Sequence, residues 1–411
     1  MMDKKINRFL RLYPIYSGLT SDLLFYIAIN TMFLTVVKSF SAAQIVSLTS
    51  ISNIACIVIQ FPLLKIIHKI GNTAASRVSA LLLLLSAIFI TFGPNYYFIV
   101  IGRLFHDVSV VFHGVVIVAL ENNLELIGKR ENFIHSRTAA NTVYSVLTML
   151  IAFIAGPMFN AYYYLPMYCC IGTCIIGFVL SFFMVDYSKH NKIPKKSNEK
   201  VKLNFNKLLV LVVIVYGMFI SLAYIGQSDG QLFIQQNLLS IFSVENTTLI
   251  LTAIICISRI VRVFSNVAFA YIYRRIKDKV GIFMHVLLCV SITLVLFGSF
   301  MPHVLSKIIL MGIGFTIILF VRDPFKLYIQ DVVLEQTAKE HHQTILTLLA
   351  FAMKVGTATI SLAFTLVLLK YPLFTVMAII LVLAIIELLL SIMLYKEIVV
   401  AKRLKAEKTE P

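Results

Sequence analysis

The chain has 411 residues, of which 59% are hydrophobic and only 13% charged, and it carries 36 Lys and Arg against 19 Asp and Glu. Its mean hydropathy is +0.91. A water-soluble protein of this length needs far more polar surface, so the composition predicts a multi-pass membrane protein. The net charge of +17 does not indicate a nucleic-acid partner, because the basic residues lie in short loops between apolar segments.

Twelve apolar segments are long enough to cross a bilayer, which takes about 20 residues. They lie near 12–37, 44–67, 77–96, 97–119, 137–158, 164–185, 208–238, 246–272, 280–300, 304–330, 343–369 and 372–395. Basic residues are concentrated in every second loop, on the same side as both termini. By the positive-inside rule, both termini are predicted to be cytoplasmic. The expected location is a bacterial plasma membrane.

A basic, hydrophilic segment at 186–207 divides the chain into two halves that resemble each other. Ser21-Asp22 recurs as Ser228-Asp229, and Phe92-Gly93 recurs as Phe297-Gly298, at nearly the same spacing. The sequence therefore predicts an N-terminal half at 1–185, a cytoplasmic linker at 186–207, a C-terminal half at 208–398 and a tail at 399–411. The expected fold class is all-α, with twelve transmembrane helices in two pseudo-symmetric six-helix halves.

This plan resembles the major facilitator superfamily of secondary transporters over about residues 8–398, although the local motifs are degraded. In the loop after the second segment, Lys69 and Gly71 match the family pattern and His68 replaces its aspartate. The resemblance implies alternating access, in which the two halves expose one central site to each face in turn. It also implies the candidate gating residues, which are His68, Lys69, Arg274, Arg275, Gly156 and Pro157.

Several ionisable residues lie inside the apolar segments, where each costs about 2.5–3.5 kcal/mol to insert. We predict proton coupling for four of them, Asp22, Asp229, Arg103 and Asp107. Asp22 and Asp229 occupy equivalent positions in the two halves, and a carboxyl group in a partly dry cavity can exchange a proton near neutral pH. The alternatives are a fixed ion pair or a capping role, and Arg103 could neutralise Asp107 as an i, i+4 pair.

The second half carries more embedded cations than acids, which favours a substrate with a carboxylate, phosphate or sulfate group. The predicted substrate-binding residues are Arg259, Arg262, Arg322, Lys354, Tyr16, Asn141 and Tyr144. Alternatively, the same cations form a salt-bridge network with Asp323 that closes a cytoplasmic gate.

The sequence thus predicts a proton-coupled secondary active transporter of a small or amphipathic solute with an anionic group. The alternatives are a proton-driven multidrug exporter of lipophilic compounds, a lipid translocator, and an integral membrane enzyme with His106 or His113 as a base. Neither a metal site nor a cofactor is expected. The expected partners are the lipid bilayer, the solute and protons, and the expected state is a monomer.

Overall fold

The computed structural model describes residues 2–188, 207–276, 279–337 and 342–407. Most of the predicted linker, 189–206, and the end of the predicted tail lie outside these residues. Within the described part, all regular elements are helices. The described residues form two compact units, one within Met1–Phe40 and Ile54–Glu199 and the other within Ser41–Asn53 and Lys200–Pro411.

Eight α-helices are described before the predicted linker. They are α1 (Met2–Thr20), α2 (Leu24–Met32), α3 (Ala42–Ile70), α4 (Asn72–Phe92), α5 (Tyr96–His113), α6 (Val115–Leu126), α7 (Phe133–Ala161) and α8 (Leu165–Ser181). A short π-helix, Phe33–Val37, continues α2. In the first unit, α4 packs against α5 and α8, and α1 packs against α7. Helix α3 belongs to the second unit up to Asn53 and to the first unit from Ile54.

Six α-helices are described after the predicted linker. They are α9 (Lys207–Leu239), α10 (Val244–Ile276), α11 (Val280–Ser299), α12 (Val304–Gln336), α13 (His342–Leu368) and α14 (Leu373–Glu407). In the second unit, α11 packs against α12, and α9 packs against α13 and α14.

The helices of the described residues account for all twelve predicted membrane segments. Eleven segments are long and apolar enough to cross a membrane, and α8 is a shorter apolar helix of 17 residues. Large apolar side chains such as Phe153, Val58 and Leu369 are mostly exposed, as expected for surfaces that face lipid rather than water. The predicted all-α fold class is confirmed.

The turn between α3 and α4 depends on a glycine. Gly71 has a φ of 81°, in the left-handed region that strongly favours glycine, and its N–H donates to the Ile67 carbonyl at 2.9 Å. This is the glycine that the sequence shares with the family loop motif. Its conformation lets α4 begin at Asn72, with Gly71 alone between the two helices.

The first residues of the predicted linker are attached to the first unit. The Asp186 carboxylate is buried and accepts hydrogen bonds from the side-chain amides of Asn72 at 2.7 Å and Asn122 at 2.8 Å. It also accepts one from the Ser188 backbone N–H at 2.9 Å. Three hydrogen bonds to one carboxylate fix the point where the chain leaves α8 against the ends of α4 and α6.

Candidate functional site

The first membrane segment is interrupted at its middle. Helix α1 ends at Thr20 and α2 begins at Leu24, so Asp22 lies in a break of the helix. The Leu23 backbone N–H donates to the Asp22 Oδ1 atom at 2.8 Å, which satisfies one of the groups that the break exposes. By contrast, Asp229 lies within the continuous helix α9. The two carboxylates that the sequence predicted to be equivalent therefore have different backbone surroundings.

His106 on α5 connects two carboxylates. Its Nε2 atom is 2.8 Å from Asp22 Oδ1, and its Nδ1 atom is 3.3 Å from Asp107 Oδ1. The side chains of His106 and Asp107 are only 7% and 12% exposed, whereas that of Asp22 is 32% exposed. Asp22 is thus the member of this cluster that is most accessible.

Arg103 completes the cluster from one turn earlier on α5. Its Nε atom is 4.0 Å from Asp107 Oδ1, so the predicted i, i+4 contact is present but long. Two carboxyl groups facing one guanidinium and one imidazole are neutral overall when they hold a single proton, either on the imidazole or on one carboxyl group. An imidazolium can donate from both nitrogens, and a neutral imidazole from one. The arrangement can therefore accept or release a single proton.

A second charged cluster joins α9, α10 and α12. The Arg262 Nε atom donates to Asp323 Oδ2 at 2.7 Å, and the Arg322 Nε atom is 3.5 Å from Asp323 Oδ1. A terminal nitrogen of Arg322 donates to Gln227 Oε1 at 2.6 Å. The side chains of Arg262, Arg322 and Asp323 are 25%, 16% and 29% exposed. Two guanidinium groups share one carboxylate, so this cluster carries an excess positive charge.

Three other predicted residues of the second unit are placed differently. Arg259 lies one turn before Arg262 on α10 and is almost completely buried. Lys354 is partly exposed on α13. Asp229 is also buried; its Oδ1 accepts from the Ser228 hydroxyl at 2.9 Å, and no described donor bonds its Oδ2.

The predicted polar residues of the first unit do not share one environment. Tyr16 is completely buried, and its hydroxyl donates to the Ser76 carbonyl at 3.1 Å. It packs in a hydrophobic cluster with Phe9 and Leu120, so in this conformation Tyr16 is a packing residue. Asn141 is exposed and Tyr144 is partly exposed, both on α7.

The predicted gating residues lie near the ends of helices. Lys69 is exposed in the last turn of α3, and the Arg275 guanidinium lies 4.6 Å from the ring centroid of Tyr271 on α10. Gly156 is buried and Pro157 exposed within α7. The side chains of His68 and Arg274 lie outside the described part of the chain. These assignments stay predictions.

A buried pair in the second unit was not predicted from the sequence. The His285 Nε2 atom on α11 is 3.5 Å from Glu387 Oε1 on α14, and both side chains are completely buried. The His285 Nδ1 atom bonds the Gly281 carbonyl at 2.7 Å, and the ring lies against Phe219 and Phe325. The sequence does carry a signal for this pair: each of two apolar segments holds one ionisable residue, and such residues often form hydrogen bonds or ion pairs with each other. Among the described residues, no group of His, Cys, Asp and Glu is arranged to hold a metal ion.

A sequence profile described as the Major Facilitator Superfamily matches residues 15–358. The chain belongs to this superfamily. It is therefore a membrane transporter rather than an enzyme, as the sequence predicted.

Solved structures of other transporters are similar over nearly the whole chain. The nucleoside transporter NupG is 13% identical with a TM-score of 0.76, covering 94% of this chain and 99% of its own. A bacterial homologue of the iron transporter ferroportin is 11% identical (TM-score 0.70, covering 96% and 99%). A bacterial homologue of the human lysosomal transporter Spinster is 9% identical (TM-score 0.66, covering 97% and 98%). No curated protein sequence gives a significant match. At these identities the similarity shows the fold alone.

Proposed function

We propose that this superfamily member is a proton-coupled secondary transporter of a small or amphipathic solute that carries an anionic group. It works by alternating access in a bacterial plasma membrane, with both termini in the cytoplasm. The observation that carries the proposal is the cluster of Asp22, His106, Asp107 and Arg103, which joins the break in the first membrane segment to α5.

Proton coupling requires a group that is protonated in one state of the transport cycle and deprotonated in another. Asp22 is the candidate for this group because it is the more accessible carboxylate and because only three non-helical residues separate α1 from α2. Its contact with His106 at 2.8 Å would be altered by any movement of α2 relative to α5. A change in that contact alters how one proton is shared between Asp22 and His106, so movement and proton exchange are linked.

An anionic substrate is supported by the charge of the second cluster. Arg262 and Arg322 share Asp323, and all three side chains are partly accessible. A guanidinium group offers planar, paired donors that fit a carboxylate or phosphate. The competing role is a salt bridge that holds one conformation of the transporter. The two roles differ in what happens when an anion is added, since only a binding site would be stabilised by it.

The similar solved structures do not identify a substrate for this chain. They include a nucleoside transporter and a bacterial homologue of an iron transporter, and one fold can host solutes of very different chemistry. The choice of an anionic solute rests on the arginines alone.

The test measures thermal unfolding of the purified protein against a panel of organic anions and lipophilic cations at pH 5.5 and 7.5. A ligand at about 100 times its Kd stabilises the folded state by about 2.7 kcal/mol. We expect anions to stabilise the wild type and Lys370→Ala, which removes an exposed cation after α13. Arg262→Ala should lose the response.

The opposite pattern would overturn the anion assignment. If only lipophilic cations stabilise the protein, and Arg262→Ala still responds to them, the arginines have a gating role and the multidrug exporter alternative is favoured.

A further inference from the structure

A pocket of about 500 Å³ lies between the first turns of α1 and the end of α8. Lys4, Arg8 and Arg11 line one side, and Leu180 and Phe183 line the other. All of these residues belong to the first unit. The pocket is separate from the cluster around Asp22, because α1 rises about 1.5 Å per residue and some eleven residues separate Arg11 from Asp22. The transport proposal does not use it.

The cations of this pocket are arranged to receive an anion. Lys4, Arg8 and Arg11 are spaced by four and three residues, so they lie on the same face of α1. None of them forms an ion pair with a carboxylate whose side chain the structure describes. The Arg8 guanidinium lies 4.0 Å from the centroid of the Phe183 ring. Stacking orients the guanidinium and leaves the N–H donors at its edge available.

The apolar side of the pocket continues along α8 toward the middle of the membrane segment. Ile176, Leu180 and Phe183 follow one another at spacings of four and three residues. Ile176 and Val179 are each 53% exposed, and Ile15 on α1 is 45% exposed. A free phosphate ion would use only the cations. A molecule with an anionic head and an apolar chain would cover both parts of the surface.

We propose that this pocket binds the headgroup phosphate of an anionic phospholipid, with one acyl chain lying along the exposed face of α8. Its position fits the predicted cytoplasmic side, where basic residues near the membrane surface attract anionic lipids. Phosphatidylglycerol is a suitable probe, because it carries one phosphate charge and no compensating amine.

The experiment measures lipid binding to the detergent-purified protein by native mass spectrometry. Phosphatidylglycerol, phosphatidylcholine with the same acyl chains, and inorganic phosphate are titrated in separate series. We expect one phosphatidylglycerol to bind more tightly than phosphatidylcholine. Each basic residue near a membrane surface contributes about fivefold in affinity, so Arg8→Gln with Arg11→Gln should weaken phosphatidylglycerol binding by roughly 25-fold.

Two further variants test whether a weaker binding comes from the lost charge in the pocket, from misfolding, or from a lower total positive charge. Arg8→Lys with Arg11→Lys keeps the charge and should retain most of the lipid preference. Lys129→Gln removes an exposed cation at the end of α6 and should leave it unchanged. The proposal is overturned if both phospholipids bind equally or if the double glutamine variant keeps the preference. It is also overturned if inorganic phosphate displaces phosphatidylglycerol at similar concentrations, because the pocket would then take soluble anions.

Discussion

From the contact between Arg262 and Asp323 we predict how much each of these residues stabilises the folded protein. Arg262 bonds Asp323 at 2.7 Å, while Arg322 lies 3.5 Å from the other oxygen of the same carboxylate. Asp323→Asn leaves two guanidinium groups beside a neutral amide. Arg262→Gln leaves Asp323 with Arg322 as a partner. The two single substitutions should therefore lower the free energy of unfolding by different amounts.

The magnitude follows from the partial exposure of the pair. Two unit charges 4 Å apart attract by about 4 kcal/mol at an effective dielectric constant of 20, before desolvation is subtracted. Fully exposed pairs contribute up to about 1 kcal/mol, and breaking a buried pair costs about 3–5 kcal/mol. Arg262 and Asp323 are 25% and 29% exposed. We expect Asp323→Asn to lower the free energy of unfolding by about 2 kcal/mol and Arg262→Gln by about 1 kcal/mol.

The assay is a double-mutant cycle on reversible unfolding in detergent micelles. The double variant should be less destabilised than the sum of the singles by about 1 kcal/mol, since the two residues interact directly. Asp323→Asn should also be stabilised more strongly by anions than the wild type. Equal costs for the two single variants, or strict additivity, would refute this description of the cluster.

Two other predictions concern the stability of the units. Lys38→Met should lower the free energy of unfolding by about 2 kcal/mol, because the Lys38 ammonium donates to the carbonyls of Thr91 at 2.8 Å and Gly93 at 3.0 Å. Thermal unfolding measures the loss, and an unchanged stability would contradict the prediction. Gly314→Ala should lower the free energy of unfolding by about 1–3 kcal/mol in the same assay, because an added Cβ would lie 2.5 Å from a carbonyl oxygen of α11. In the control Gly172→Ala, the added Cβ meets nothing within 4 Å, so stability should stay the same or rise.

The fold could be predicted from the sequence because the bilayer imposes a length on each apolar segment. Every predicted segment has a matching helix, including α8, which is only 17 residues long. The break around Asp22 could not be read in the same way. Ser21, Asp22 and Leu23 lie inside one long apolar segment, and their sequence carries no proline or glycine to mark an interruption.

The contacts of the candidate site depend on tertiary structure. The sequence placed Arg103 and Asp107 one turn apart on one helical face, and it identified Asp323 as a possible partner for the arginines. It did not show that His106 meets Asp22, since 84 residues separate them. The contact between His285 and Glu387 was missed for the same reason, at a separation of 102 residues. Helical periodicity gives neighbours on one helix, whereas partners on other helices depend on how the helices pack.

Proton coupling through Asp22 is the central claim, and transport in proteoliposomes tests it most directly. With a solute found in the stability panel, uptake driven by an imposed pH gradient is compared with solute exchange at equal pH on both sides. The wild type should perform both reactions. The control variant Asp331→Asn, in which an exposed carboxylate on α12 is replaced, should do the same. Asp22→Asn should exchange solute but fail to accumulate it, because exchange needs no proton transfer. Gradient-driven accumulation by Asp22→Asn at the wild-type level would contradict the account.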